Sequence, residues 1–155
     1  MDQLKEFFTN YLLVSAFFSW LLAQILKIFT GVFSNEKLNL KKLLFSSGGM
    51  PSSHSAAVCS LCTASAIQCG AGSTEFGITL ILAIIVMMDA SGVRYETGKQ
   101  AKVINEIVKE LFSGRSEEVS TGLKELVGHT PLQVFMGALL GIGMGIGMGF
   151  AMGIV

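Results

Sequence analysis

Four apolar stretches, separated by polar segments, organise the chain. The first runs from Phe7 to Phe29 with no charge except Lys27 near its end. At about 1.5 Å per residue such a helix crosses a hydrocarbon layer roughly 30 Å thick. Gln24 is its only strongly polar interior residue, and Tyr11 and Trp20 suit the two membrane interfaces. Ser15, Ser19 and Ala23 recur at every fourth position, a small-residue stripe fit for close helix contact. The second stretch, His54 to Gly70, is short and rich in Ser, Thr, Ala and Cys. It makes a poor lipid-facing helix and a good one for the middle of a bundle. The third begins at Glu75 or Phe76 and reaches about Met88 through a dense Ile/Leu/Val core. The fourth, Pro131 to Val155, carries Gly137, Gly141, Gly145, Gly149 and Gly153 at strict four-residue spacing. That ladder predicts a tightly packed helix, either within one chain or between two copies.

The segments between these spans are polar. Gly31 to Ser53 is a connector with Lys37, Lys41 and Lys42 against Glu36, and Gly70 to Ser73 is a turn. Lys99 to Phe112 is amphipathic: Ile104, Ile107, Val108, Leu111 and Phe112 keep helical spacing, with Lys102, Glu106, Lys109 and Glu110 elsewhere. It is too charged to span, and a place on the membrane surface or against the bundle mouth fits it better. Ser113 to Gly122 predicts a loop, and Leu123 to Val127 a short turn stopped by Gly128. The pattern therefore predicts an all-α integral membrane bundle of about four transmembrane helices plus an interfacial amphipathic helix. Residues 1–155 form a single domain on this reading.

Composition agrees. Hydrophobic residues make up 51% and charged ones 14% of the chain, against roughly 25% charged in soluble domains. Mean hydropathy is +0.62. The formal net charge is zero, so nothing draws the molecule toward nucleic acid. The distribution of charge is informative. Lys27, Lys37, Lys41, Lys42, Arg94, Lys99, Lys102, Lys109, Arg115 and Lys124 follow the first and third spans, whereas Lys5 stands alone on the other side. Positive residues concentrate on the cytoplasmic side, so both connectors that precede a histidine are expected there, with the termini outside. A multi-pass protein of the plasma (inner) membrane is the expected setting. The first apolar run lacks a small-x-small cleavage site, so no cleavable signal peptide is expected. Cys59, Cys62 and Cys69 all lie in the second stretch and are expected to be packing residues rather than a disulfide framework.

The candidate chemistry sits where the connectors meet the second and fourth spans. Gly48-Gly49-Met50-Pro51-Ser52-Ser53-His54-Ser55-Ala56 joins glycines, a proline and three hydroxyls to one of the two histidines. Glycine admits close backbone approach, proline suits the first turn of a helix, and that turn presents N–H groups to an anion. His129-Thr130-Pro131 places the second histidine just before the fourth span, where Thr130 can cap and Pro131 can start a helix. Two imidazoles on one membrane face can divide a phosphoryl transfer, one attacking phosphorus and the other protonating the leaving oxygen. Phosphoryl oxygens call for N–H donors and cations. Candidates are Gly49, Ser52 and Ser53, with Arg94 and then Lys41 or Lys42. Asp89, at the end of the third span, is a candidate to orient a histidine. No cofactor is expected, and no metal, since histidines are few and the acids scattered.

Three segments, GGMPSSHSA, DASGVRYETGKQAKVIN and LKELVGHTPLQVFMGALLG, resemble the divergent PAP2 family, related to acid phosphatases and vanadium-dependent haloperoxidases. The resemblance covers roughly residues 9 to 150. It implies that His54 is the proton donor and that His129 attacks phosphorus to give a phosphohistidine. The wider superfamily also carries a lysine followed seven residues later by Arg-Pro. Here Lys41 and Lys42 are followed at that distance by Gly48 and Gly49. Six residues before the attacking histidine, where the superfamily has arginine, stands Leu123; four after it, where an acid orients the ring, stands Gln133. The expected function is an integral membrane phosphatase acting on a phosphorylated lipid or small phosphate ester at the cytoplasmic face. The alternative is a non-catalytic membrane protein that binds phosphorylated lipid or serves in assembly. Expected partners are that substrate, membrane lipids and, through the Gly137/Gly141/Gly145/Gly149 face, a second copy.

Overall fold

The computed structural model describes residues 2–33, 49–111 and 128–155. The predicted loop Ser113–Gly122 and turn Leu123–Val127 lie outside them, as do Lys41 and Lys42. The described residues are helical: α1 (Asp2–Thr9), α2 (Tyr11–Phe33), α3 (Ser53–Cys69), α4 (Thr74–Met88), a π-helical turn (Asp89–Val93), α5 (Arg94–Leu111) and α6 (Pro131–Ala151). Three helical stretches are long and apolar enough to cross a membrane: Tyr11–Thr30, the continuous Thr74–Lys109, and Pro131–Ala151. The fold is thus the expected all-α membrane bundle.

Helix α3, the least apolar of the four predicted spans, forms the centre. It packs against α2, α4 and α6. Its 17 residues reach about 25 Å, short of the roughly 30 Å of a hydrocarbon core. Its buried positions are small: Ser53, Ser55, Ala56, Cys59, Ser60, Ala64 and Ser65. Small side chains on α3 meet small side chains on its neighbours, so the backbones approach closely. Ser19 of α2 donates its hydroxyl to the carbonyl of Ala56 at 2.9 Å.

The glycine ladder of α6 packs within the chain. Gly137 lies on the Ser52 carbonyl and Ser55, Gly141 on the Ala56 carbonyl and Cys59, and Gly145 on Thr63. A second copy using this face would have to displace α3. At Gly137 and Gly141 an added side chain would meet α3 backbone, and at Gly145 the branched side chain of Thr63. Gly149 meets Tyr11, whose hydroxyl donates to the Gly145 carbonyl at 2.6 Å. Tyr11, at the start of the first span, is buried and ties α2 to α6.

Several element boundaries differ from the sequence pattern for identifiable reasons. The first span does not begin at Phe7, because Asn10 separates α1 from α2 and its Oδ1 accepts the N–H groups of Leu12 and Leu13 at 3.0 and 3.3 Å. Pro51 precedes the cap of α3 rather than opening the helix, since Ser52 is the N-cap. The third span does not stop at Met88, nor does the amphipathic helix wait until Lys99; the π-helical turn carries the chain from one into the other. The fourth span ends at Ala151 rather than Val155. Gly153, at φ +68°, donates to Phe150 while Ile154 donates to Gly149, the paired bonds of a glycine C-terminal cap. Gly153 is therefore a stop signal and no part of the ladder.

The close α3–α6 contact generates a paired test. Gly141→Ala places a methyl group against α3 backbone and is expected to cost about 1–3 kcal/mol. Gly143→Ala, with nothing within 4 Å of the added carbon, is expected to leave the thermal midpoint unchanged or slightly raised. Thermal unfolding of both variants in detergent checks this; equal midpoints would contradict the contact.

Candidate functional site

The site is assembled at the end of the bundle where α2 finishes and α3 and α6 begin. Ser52 sets the start of α3. Its hydroxyl accepts the Ser55 N–H at 3.3 Å and the Ser55 hydroxyl at 3.0 Å. Its own N–H donates to the Gln133 carbonyl at 3.0 Å, which fastens the loop to α6. From the other side, Thr30 donates to the Met50 carbonyl at 2.8 Å and Lys27 Nζ to Ser53 Oγ at 3.1 Å. The Met50–Pro51 peptide bond is cis, and Gly49 takes φ +94°, a conformation that favours glycine. The 49–53 segment is therefore held between α2 and α6 by backbone and hydroxyl groups. His54, the second residue of α3, is left exposed at the mouth.

His129 is fixed from two directions. Its N–H donates at 3.1 Å to the carbonyl of Ala90, inside the π-helical turn. Such turns loosen the α-helical hydrogen-bond pattern and often occur at functional sites. From α6, Thr130 and Gln133 form a capping box: the Gln133 N–H donates to Thr130 Oγ1 at 3.4 Å, and the Thr130 N–H donates to Gln133 Oε1 at 3.0 Å. The same Oε1 lies 3.3 Å from His129 Nδ1.

That shared oxygen decides the tautomer. A backbone N–H can only donate, so the group facing Thr130 must be the amide oxygen of Gln133. An oxygen there accepts, so His129 Nδ1 carries a proton, and in the neutral ring Nε2 then carries the lone pair. The capping box of α6 thus holds the Nδ1 side of the histidine in front of it.

The two imidazoles face each other with ring centroids 6.1 Å apart and planes inclined by 60°. They share a cavity of about 240 Å³ with Asp89, walled by Ile85 and Val86. His129 is 2% exposed, whereas His54 opens to the outside. One buried imidazole and one accessible imidazole across a small cavity is an arrangement suited to a nucleophile and a proton carrier.

The structure brings His54, His129 and Asp89 together around this cavity. Gly49, Ser52 and Ser53 are not among the residues that line it: Gly49 and Ser53 contact Lys27, and Ser52 is turned inward as a cap, fully buried beneath α6. Arg94 opens α5, but its side chain lies outside the described residues. Among the described residues no group of three metal-ligating side chains occurs. The side chain at Nδ1 of His129 is Gln133, a contact foreshadowed by the Thr-x-x-Gln capping pattern. Lys27, counted by sequence among the connector charges, is instead 7% exposed within the bundle. Its signal was spacing: Tyr11, Ser15, Ser19 and Ala23 lead to Lys27 in steps of four, and all five are buried.

A membrane protein of Bacillus subtilis (strain 168), the uncharacterised YuiD, is 41% identical over 147 residues, covering 88% of this chain and 92% of the relative. No solved structure matches significantly. The signature of the divergent PAP2 family matches residues 8–144, which takes in both histidines, Asp89 and Gln133. The chain therefore belongs to the divergent PAP2 family.

Proposed function

We propose that the protein is a membrane phosphatase that hydrolyses a phosphate ester, borne by a lipid or a small molecule, in the two-histidine mouth. The observation that carries this reading is the His54–His129 pair, 6.1 Å between ring centroids across a shared cavity. The cavity of about 240 Å³ that the two rings line has room for one phosphoryl group.

The chemistry follows from the tautomer. His129 Nε2 attacks phosphorus in line with the ester oxygen, forming a phosphorus–nitrogen bond as the phosphorus–oxygen bond breaks. His54, protonated, gives its proton to the departing oxygen. Neutral His54 then takes a proton from water, whose oxygen attacks phosphorus and releases phosphate from Nε2. Gln133 holds the His129 ring in place through Nδ1 but supplies no charge to the imidazolium-like intermediate. Asp89 lines the same cavity.

The neutral Gln133 favours a second reading in which the mouth binds phosphate esters without turnover. Phosphate release from a panel of lipid phosphates and soluble esters separates the two. The phosphatase reading expects release that His129→Ala abolishes, and that Gln133→Ala reduces about 10- to 100-fold in kcat. Activity that survives His129→Ala would sink it, and binding without release would favour the second reading.

The positive residues support placing this mouth on the cytoplasmic side of the plasma membrane. Lys27 belongs to the bundle rather than the connector, yet Lys37, Lys41, Lys42, Arg94 and the lysines of α5 remain on that side against Lys5 on the other. A topology reporter at Ser116 is expected to read cytoplasmic and one at Val155 external. The reverse pattern would overturn the orientation.

A further inference from the structure

Lys27 is the most unusual side chain in the bundle. It projects from α2, inside a helical stretch able to cross a membrane, and is 7% exposed. Among the described residues its polar contact is a single one, Nζ to Ser53 Oγ at 3.1 Å, and no carboxylate pairs with it. An ammonium group has three donors, so among the described residues one neutral hydroxyl answers a single donor and no counter-charge answers the rest. Buried ionisable groups in a membrane bundle are costly and are retained where they meet a counter-charge or a substrate.

Its position points to the second case. Ser53 is the first residue of α3, so Lys27 Nζ lies at the positive end of that helix's dipole. Gly49 packs over the lysine stem: a carbon added at Gly49 would lie 3.6 Å from Lys27 Cγ. The stem is thereby confined between α2 and the 49–53 segment. Two positive features, the ammonium and the helix start, meet at Ser53, the residue that precedes His54 in the chain.

We propose that Lys27 is the cation that receives the phosphoryl group, donating from inside the bundle at the first turn of α3. The proposal rests on the phosphate reading of the mouth and adds the residue that answers the substrate's charge. Ser53 holds the ammonium in place when no phosphate is bound.

Calorimetric titration in a phosphate-free maltoside detergent tests it, with inorganic phosphate in one arm and dihexanoyl phosphatidate in the other. In whichever arm wild-type protein binds, Lys27→Met is expected to weaken affinity by about tenfold or more, the loss of one charge-assisted hydrogen bond. The ligand-free variant is expected to unfold at the same temperature as wild type or higher, because an unmatched buried charge has been removed. A merely structural lysine would instead lower that temperature. Binding that Lys27→Met leaves unchanged would overturn the role of Lys27 while leaving the mouth a phosphate site. Absence of binding to wild type in both arms would overturn the phosphate reading and this inference with it. If Lys27→Met does not fold, the test passes to 15N-lysine-labelled wild-type protein. There the buried ammonium resonance is expected to shift on saturation with ligand, and an unmoved resonance would overturn the proposal.

Discussion

The bundle depends on one contact, the backbone of α3 laid against the glycine face of α6. In a bilayer no hydrophobic force drives helices together, so close packing and short polar contacts must do so. Gly137, Gly141 and Gly145 let the two backbones meet, and the serines and alanines of α3 accept α2 in the same way. Three of the elements around the mouth are positioned by this packing. It sets the start of α3 beside the start of α6, and so sets His54 opposite His129.

The mouth inherits its rigidity from helix ends. Ser52 caps α3 and also donates to α6; Thr130 and Gln133 cap α6, and Gln133 also reaches His129. Groups that every helix must satisfy at its ends are here spent on holding two imidazoles. The π-helical turn contributes the third anchor, since the carbonyl of Ala90 holds the backbone of His129 against the end of α4. Asp89 enters the cavity from that same turn. The site therefore has a local structural cause for each of its parts.

Much of this was legible in the chain. The four-residue repeat of glycines announced close packing, and the proline before His54 and the Thr130 cap before Pro131 announced two helix starts bearing histidines. What the repeat could not announce was its partner, because a glycine face fits a neighbour in the same chain as well as one in another. The placement of Lys27 was obscured by its chemistry: a lysine near the end of an apolar run reads as an interface charge. Its register with Ser15, Ser19 and Ala23 carried the correct answer. The π-helical turn has no comparable signature, for Asp89-Ala90-Ser91-Gly92-Val93 contains nothing that dictates a widened turn. The bond from the His129 N–H to the Ala90 carbonyl joins this turn to the start of α6.

The central claim is that His54 and His129 face one another across a single cavity in the folded membrane protein. The chain contains two histidines, so protein labelled with 13C,15N-histidine and purified without a histidine tag reports on this pair alone. Solid-state NMR dipolar recoupling in lipid bilayers measures the separation of the two rings. Inter-ring cross peaks consistent with centroids about 6 Å apart are the expected result. Two histidine spin systems with no inter-ring transfer at mixing times that reach well beyond that distance would contradict the account.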